Sequence, residues 1–228
     1  MKKKLLIIEP HSDDSIISCG GFLLKNQDKF DINFCLVCAS DVEMYHGNVS
    51  RQTRLNEYEK YVGHFNGKFI RPSYENMSLP LDMDGRLDLV PRSKLVKLIE
   101  NAILEVDPNV LMIMGPSFHH DHTAVYEAVI AATRPTFSTL SNLVYVMENP
   151  TYVRESYPNN AFKANTYVEL SQEIIEEKCR LFEELFPSQI RTEGNYLSRS
   201  GLFKWAQYRG IEARCNYAEA FSQFFSKI

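Results

Sequence analysis

The chain has 228 residues, of which 44% are hydrophobic and 24% are charged. These proportions are typical of soluble globular proteins and exclude disordered, fibrous and collagen-like classes. The length is sufficient for one large domain with its own core. Lys and Arg number 25 against 29 Asp and Glu, so the net charge is −4. Without a basic excess the chain has no electrostatic footprint for nucleic acid or anionic lipid, which favours a small-molecule partner.

Signals for export or membrane insertion are not evident in the sequence. The early apolar run at residues 5–8 is shorter than the roughly 7–15 residues of a signal-peptide core. No apolar stretch approaches the roughly 20 residues that span a bilayer. We therefore expect a cytoplasmic protein with no membrane span.

The five cysteines are an odd number without zinc-finger spacing, so free thiols are expected. Cys35 and Cys38 form a C-x-x-C pair inside a predicted strand. Residues three apart in a strand point to opposite faces, so these two thiols are expected to diverge. Buried core cysteines are therefore favoured over redox or metal chemistry.

Short apolar runs alternate along the chain with segments of helical spacing. Apolar runs predict buried strands at residues 5–8, 32–38, 110–114, 143–147 and 166–170. Helical spacing and helix-boundary signals predict helices at residues 15–27, 52–65, 91–105, 123–133 and 173–186. Residues 71–88 contain prolines and an Asp84-Gly85 turn signal, and are expected to be irregular. The alternation predicts an α/β fold: a Rossmann-like, mostly parallel sheet with helices on both faces, in a single domain.

Two clusters of metal-ligand residue types follow predicted strands. One is Pro10-His11-Ser12-Asp13-Asp14 and the other is His119-His120-Asp121-His122. Because the carboxyl ends of parallel strands meet at one edge of a sheet, the clusters are expected to converge there. One His and one Asp from the first cluster, with one His from the second, would supply three zinc ligands and leave a position for water. A second carboxylate is then a ready general base, and a second His can polarise a carbonyl or protonate a leaving group.

These clusters also resemble the motifs of a known family. Residues 10–14, with Gly20-Gly21 close behind, resemble the P-H-P-D-D-E…G-G signature of the LmbE-like, or PIG-L, metal-dependent N-acetylglucosaminyl deacetylases. Residues 119–122 resemble the family's H-P-D-H motif. Further similar segments are residues 82–87, Lys178 with Ser188-Gln189, and residues 217–221. The resemblance extends over nearly the whole chain and implies a single LmbE-like deacetylase domain over residues 1–228.

The resemblance implies a role for each matching residue. The zinc ligands that it implies are His11, Asp14 and His122. Asp13 is implied as the base that activates water. His119 takes the role of the histidine that stabilises the oxyanion or protonates the amine, and Asp121 that of its orienting carboxylate.

The residues around the implied site match the family less well. Glu43 and Arg51 are weaker matches, and the resemblance implies that they contact the sugar. Ser15, Val42 and Arg54 stand where the family usually has Glu, Gly and Glu. Arg51 and Arg54 are one helical turn apart, and a guanidinium fork matches phosphate or carboxylate. An anionic group on the substrate is one expectation; a solvated helix face is the alternative.

The sequence thus predicts a zinc-dependent hydrolase that removes the acetyl group from an N-acetylated amino sugar, such as N-acetylglucosamine, or from its conjugate. Fe²⁺ or Co²⁺ suits the same ligands. One alternative is an amidase that acts on another small amide or on a sugar–thiol conjugate, and another is a non-catalytic sugar- or nucleotide-binding module. The aromatic-rich stretch at residues 196–225 is interpreted as core or as a homo-oligomer contact rather than as a sugar platform.

Overall fold

The structure is a computed structural model that describes residues 2–44, 47–135, 141–150 and 162–227. Its strands are β1 (Lys3–Glu9), β2 (Phe30–Leu36), β3 (Val42–Met44), β4 (Gly47–Val49), β5 (Lys68–Phe69), β6 (Ser73–Tyr74), β7 (Met77–Ser78), β8 (Val110–Met114), β9 (Leu143–Met147), β10 (Thr166–Leu170) and β11 (Tyr217–Ser226). Its α-helices are α1 (Asp14–Asn26), α2 (Arg51–His64), α3 (Arg92–Val106), α4 (His120–Ala132), α5 (Gln172–Leu185) and α6 (Arg199–Ala213). Short 3-10 turns lie at Leu87–Leu89 and Pro187–Gln189.

A seven-stranded sheet forms the centre of the molecule, in the order β10-β11-β9-β8-β1-β2-β5. The pairs β5–β2, β2–β1, β1–β8 and β8–β9 are parallel. Strand β11 lies between β9 and β10 and is antiparallel to both. Because β1 and β8 are neighbours, with Ile8 opposite Ile113, the loops that follow them leave the sheet side by side.

Two hydrophobic clusters cover the two faces of the sheet. Alternate residues of β1 point to opposite faces, as the pleat requires. Leu5 and Ile7 pack in the cluster that includes residues of α1, α2, α5 and α6, whereas Leu6 and Ile8 pack in the cluster that includes residues of α3 and α4. The predicted α/β fold, with a mostly parallel sheet covered on both faces, is confirmed.

The predicted elements differ from the structure mainly at their boundaries. Strand β2 ends at Leu36, two residues earlier than predicted, and Cys38 forms an isolated bridge with Leu81. Cys35 and Cys38 therefore lie in the same core cluster, and the expectation that they diverge is wrong because the second thiol lies beyond the strand. Both thiols are buried and free, as predicted.

Some elements were not predicted at all. These are the hairpins β3–β4 and β6–β7, the short strand β5, helix α6 and strand β11. The hairpin β6–β7 lies within the segment that was expected to be irregular. Among the described residues, no helix combines the length and the apolar character needed to cross a membrane; the cytoplasmic location stays a prediction.

Candidate metal centre and active site

The two sequence clusters meet at the carboxyl edge of the sheet. His11 lies in the loop after β1, and His122 lies in the first turn of α4, after β8. Although these residues are 111 positions apart in the sequence, Nδ1 of His11 lies 3.3 Å from Nε2 of His122. The predicted convergence of the two clusters therefore occurs.

Three side chains form a compact triangle at this edge, with one nitrogen from each histidine and both carboxylate oxygens of the aspartate. Nδ1 of His11 lies 3.5 Å from Oδ2 of Asp14, and Nε2 of His122 lies 3.4 Å from Oδ1 of Asp14. The third side is the 3.3 Å separation of the two imidazole nitrogens. A tetrahedral zinc ion with bonds of about 2.0–2.1 Å separates its ligand atoms by about 3.4 Å. The donor set and its spacing therefore fit a zinc ion.

The remaining nitrogen of each histidine has an outer partner. Nε2 of His11 lies 3.0 Å from Oδ2 of Asp121, and Nδ1 of His122 lies 3.0 Å from Oγ of Ser117. Such partners fix the tautomer and the ring orientation of metal-binding histidines. The family resemblance implies that Asp121 orients His119. Nδ1 of His119, however, lies 4.0 Å from Oδ2 of Asp121, whereas Nε2 of His11 lies 3.0 Å from the same oxygen. The structure thus places Asp121 behind His11.

Other groupings of potential ligands share His11. One combines it with His119 and His122, and another combines it with Asp84, His119 and Asp121. The second grouping is less suited to a metal because both oxygens of Asp121 are already occupied. Oδ2 accepts from the backbone N–H of Gly85 at 2.6 Å, and Oδ1 accepts from that of Leu87 at 2.9 Å. Asp121 therefore orients His11 and anchors the 85–87 loop to the site.

The contacts of the site keep two of its carboxylates, Asp14 and Asp121, ionised. Burial alone would raise the pKa of Asp14, but the ion pair with His122 and the hydrogen bond with His11 hold it well below its usual range. Burial likewise opposes the charge of Asp121, yet the hydrogen bonds from His11 and from the 85–87 backbone lower its pKa to about 2. Both groups are therefore anions at neutral pH, which is the state that a metal ligand and an orienting partner need.

Asp13 differs from its neighbour Asp14 in position and in electrostatics. It precedes α1 as the N-cap residue, but its side chain makes no capping hydrogen bond, and it lines the cavity above the ligand triangle. Burial and the charge of Asp14 raise its pKa. A carboxylate with a raised pKa beside a metal position has the properties of a general base.

His119 lies on the same cavity wall as an imidazole of defined tautomer. Its Nδ1 accepts a hydrogen bond of 3.3 Å from the backbone N–H of Asp121, at the N-terminus of α4. Burial, followed by the charges of His11 and His122, lowers the pKa of His119 to about 4. At neutral pH the ring is therefore neutral, and the proton resides on Nε2, which leaves an N–H donor.

A cavity of ≈ 380 Å³ opens above these residues. Its walls include Glu43 of β3, Arg54 of α2 and Asp84 of the loop that precedes the first 3-10 turn. The opposite wall comes from the segment after α5, with Gln189, Arg191, Tyr196 and Leu197, and from Asn149, whose amide lies 3.4 Å from Oδ1 of Asp14. The volume lies within the range of small-molecule sites.

The two arginines of α2 have different surroundings. Nε of Arg51 donates to the carbonyl of Ala39 at 2.8 Å, Nη2 donates to the carbonyl of Pro80 at 2.9 Å, and the residue is absent from the cavity lining. Arg54 is buried in the cavity wall and forms an ion pair with Asp84. Each guanidinium already has protein partners, so this arrangement does not favour the expected anion site between the two arginines. The alternative of a solvated helix face is wrong for Arg54, which is buried.

Sequence reasoning placed the ligand candidates together but missed several neighbours. Ser117 and Asn149 lie behind or beside the ligand triangle, and no sequence motif marked them. Asp84 lies within a segment that resembles the family, yet it received no role. Glu43 reaches the cavity wall as implied, and its role stays a prediction, as do those of the ligands and the base.

Comparisons with known proteins agree with this geometry. The profile of the family described as GlcNAc-PI de-N-acetylase (PIG-L) matches residues 6–133, more than half of the chain. A search of curated proteins finds no match. Among solved structures, N,N'-diacetylchitobiose deacetylase from Pyrococcus horikoshii is similar with a TM-score of 0.69 and 20% identity, over 97% of this chain and 84% of that one.

Two further solved structures share the fold. The zinc-inhibited form of teicoplanin deacetylase Orf2 has a TM-score of 0.68 and 16% identity, over 96% of this chain and 98% of that one. GalB, the 4-carboxy-2-hydroxymuconate hydratase of Pseudomonas putida KT2440, has a TM-score of 0.69 and 16% identity, over 100% of this chain and 98% of that one. Identities this low establish the fold rather than the reaction. The family profile, together with the convergence of both motifs, shows that the chain belongs to the PIG-L, or LmbE-like, family.

Proposed function

We propose that the protein is a zinc-dependent hydrolase that removes the acetyl group from an N-acetylated amino sugar or its conjugate. The observation that carries the proposal is the triangle of His11, Asp14 and His122 with the free carboxylate of Asp13 on the wall above it. The family profile and the two deacetylases of similar fold support the same reaction class.

His11, Asp14 and His122 would hold the metal. A zinc ion in such a site lowers the pKa of water and polarises the carbonyl of the substrate. Fe²⁺ or Co²⁺ accepts the same imidazole and carboxylate ligands, so the ligand set alone does not select among them. Asp121 and Ser117 hold the two imidazole rings in orientation for this role.

Asp13 moves the proton, and His119 stabilises the charge that develops on the substrate. Asp13 takes a proton from the attacking water while the water oxygen forms a bond to the acetamide carbon. The Nε2–H of His119 donates a hydrogen bond to the acetamide oxygen as that oxygen gains negative charge. The C–N bond then breaks, the nitrogen receives the proton that Asp13 took from the water, and acetate and a free amine leave.

The Arg54–Asp84 pair supplies the contacts that select a sugar. A buried guanidinium donates hydrogen bonds and its carboxylate partner accepts them, so the pair complements the hydroxyl groups of a pyranose ring. Because Asp84 already neutralises Arg54, the pair favours a neutral ring over an anionic one. Glu43, on the outer wall, is placed to contact a more distant hydroxyl.

The proposal is tested by measuring acetate release. The purified protein, loaded with zinc, is incubated with N-acetylglucosamine and a panel of its conjugates, with unrelated small acetamides and sugar–thiol conjugates in parallel. We expect acetate from the sugar series and none after chelation. Cleavage of other amides alone would indicate an amidase, hydration of an unsaturated carboxylate would indicate the chemistry of GalB, and saturable sugar binding without turnover would indicate a binding module.

A further inference from the structure

The N-terminus of helix α1 is capped in an unusual way. Asp13 is the N-cap residue, and aspartate at this position normally accepts a hydrogen bond from the N–H two or three residues later. Here the side chain of Asp13 makes no such bond. The helix nevertheless begins in the interior of the protein, where Ser15 is completely buried. A buried N–H needs an acceptor, so another group must take the place of the cap.

That group is the carboxyl side chain of Glu9, whose pKa burial raises to about 8. Oε2 of Glu9, the last residue of β1, accepts the N–H of Ser15 at 2.8 Å. Oε1 of Glu9 accepts the hydroxyl of Tyr58 at 2.7 Å. The side chain of Glu9 has no exposed surface, and Glu9 is not among the residues that line the cavity.

We propose that Glu9 is a positioning residue: it accepts the helix N–H that Asp13 would otherwise cap, and thereby keeps the Asp13 carboxylate turned towards the cavity. The effect on rate rests on the proposed function, in which Asp13 is the base. The orientation of Asp13 does not depend on that function. It depends only on whether Glu9 or Asp13 accepts the hydrogen bond from the Ser15 N–H. Removal of Glu9 leaves that N–H without an acceptor, and Asp13, as the N-cap residue, is the acceptor within reach.

The experiment compares two substitutions of similar size at this position. Glu9→Gln keeps an oxygen that can accept from Ser15, whereas Glu9→Met fills the same space without an acceptor. We expect Glu9→Met to lower kcat at least about tenfold, with KM and zinc content unchanged, because only the base is displaced. Glu9→Gln should stay within about threefold of the wild type. Tyr61→Phe is the matched control: it removes a hydroxyl that lies 3.2 Å from Oγ of Ser15 but keeps the Glu9 bond, and its kcat should not change.

A double substitution separates positioning from general destabilisation. If Glu9 acts through Asp13, Glu9→Met should cost no further activity in an Asp13→Asn background, whereas a merely structural effect would multiply the two losses. A crystal structure of Glu9→Met should show the Asp13 carboxylate bonded to the Ser15 N–H. An unmoved Asp13, or multiplied losses, would overturn the proposal.

These measurements distinguish a failure of the proposed function from a failure of the proposed role of Glu9. If Asp13→Asn is fully active, the proposed function loses its base, and the crystal structure alone then decides whether Glu9 orients Asp13. If Glu9→Met does not fold, Glu9→Asp replaces it, because the shorter carboxylate retreats from Ser15 while the strand keeps a polar group. The same kinetic and crystallographic readouts apply to that variant.

Discussion

Asp13 and Asp14 are adjacent acidic residues with different proposed roles, and their surroundings differ. Asp14 is bonded to both histidines of the triangle, whereas Asp13 faces the open cavity. We predict that Asp13→Asn retains stoichiometric zinc but loses activity by about 10²-fold or more, because the amide cannot accept the proton. Elemental analysis and acetate release measure the two effects. His11→Ala is the contrasting variant and should lose the metal; loss of zinc from Asp13→Asn would make Asp13 a ligand.

The pKa of His119 predicts a pH dependence of stability in the metal-free protein. The unfolded chain binds the proton below about pH 6.5, whereas the folded protein binds it only below about pH 4. Between these values the unfolded state holds more protons, so the free energy of unfolding rises with pH across this window. Urea unfolding between pH 4 and 6.5 should therefore show a smaller rise for His119→Asn than for the wild type. Parallel curves would show that the pKa of His119 is the same in the folded and unfolded protein.

The sequence predicted the convergence of the proposed ligand residues better than the contacts that support them. His11, Asp14 and His122 follow two strands that had to be central, because both are continuous apolar runs. Their meeting follows from the geometry of parallel strands. Glu9, in contrast, looks like the polar end of a strand, and its bond to Ser15 depends on how α1 begins. No sequence pattern encodes such a contact.

Helix α2 presents its two arginines to different environments. Arg51 ties the helix to two backbone carbonyls, and Arg54 is buried in the cavity wall beside Asp84. We predict that Arg54→Met lowers kcat/KM for N-acetylglucosamine at least about tenfold, mainly through KM, whereas Arg51→Met mainly lowers the urea midpoint. Steady-state kinetics and unfolding on both variants test this. A larger effect on KM for Arg51→Met than for Arg54→Met would support the sugar contact that the family resemblance implies for Arg51.

The same helix predicts the charge of the preferred substrate. Since Asp84 already balances Arg54, an added phosphate would face Asp13, Asp14 and Asp84 without a free cation on this wall. We predict that a neutral amino sugar is deacetylated more efficiently than its 6-phosphate. Competition between the two at low ionic strength measures the preference. Faster turnover of the phosphorylated sugar would support the hypothesis of an anionic substrate, which the spacing of Arg51 and Arg54 suggests.

The elements that could be predicted have a continuous apolar run or a helical spacing of apolar residues. Those that could not be predicted lack such a pattern. The strands at residues 110–114, 143–147 and 166–170 have the predicted bounds. The buried residues of helix α6 are Leu202, Ala206, Arg209 and Gly210. They have helical spacing, but only Leu202 is a large apolar residue, so no apolar stripe marks the helix. The aromatic residues of this helix are half-buried or exposed, so they do not mark a buried face.

At the scale of the whole molecule, one buried ion pair connects distant parts of the chain. Nζ of Lys178 on α5 lies 2.7 Å from Oε1 of Glu219 on β11, and it also donates to the carbonyl of Ile17 at 2.6 Å. Glu219 in turn accepts the backbone N–H groups of Gly21 and Phe22 in α1. The pair thus holds together the helix that carries Asp14, helix α5 and the long antiparallel strand.

Breaking this pair should destabilise the fold strongly. We predict that Lys178→Met lowers the free energy of unfolding by about 3–5 kcal/mol, because Glu219 stays buried without its cation. Adding Glu219→Gln to this variant should recover part of the loss, since the uncompensated charge is then gone. Urea unfolding at neutral pH measures both. Equal stability of Lys178→Met and the wild type would mean that water reaches Glu219.

The position of β11 in the sheet sets the order in which a newly synthesised chain can finish folding. Strand β10 lies at the edge of the sheet, and β11 is its neighbour there. When β10 leaves the ribosome, its partner has not yet been made, and α6 must be translated first. Only when residues 217–226 emerge can β10 join the sheet and Glu219 reach the N–H groups of α1. The helix that begins with Asp14, a proposed metal ligand, is therefore fixed in place by a strand made much later, and the proposed site of a ribosome-bound chain is incomplete until then.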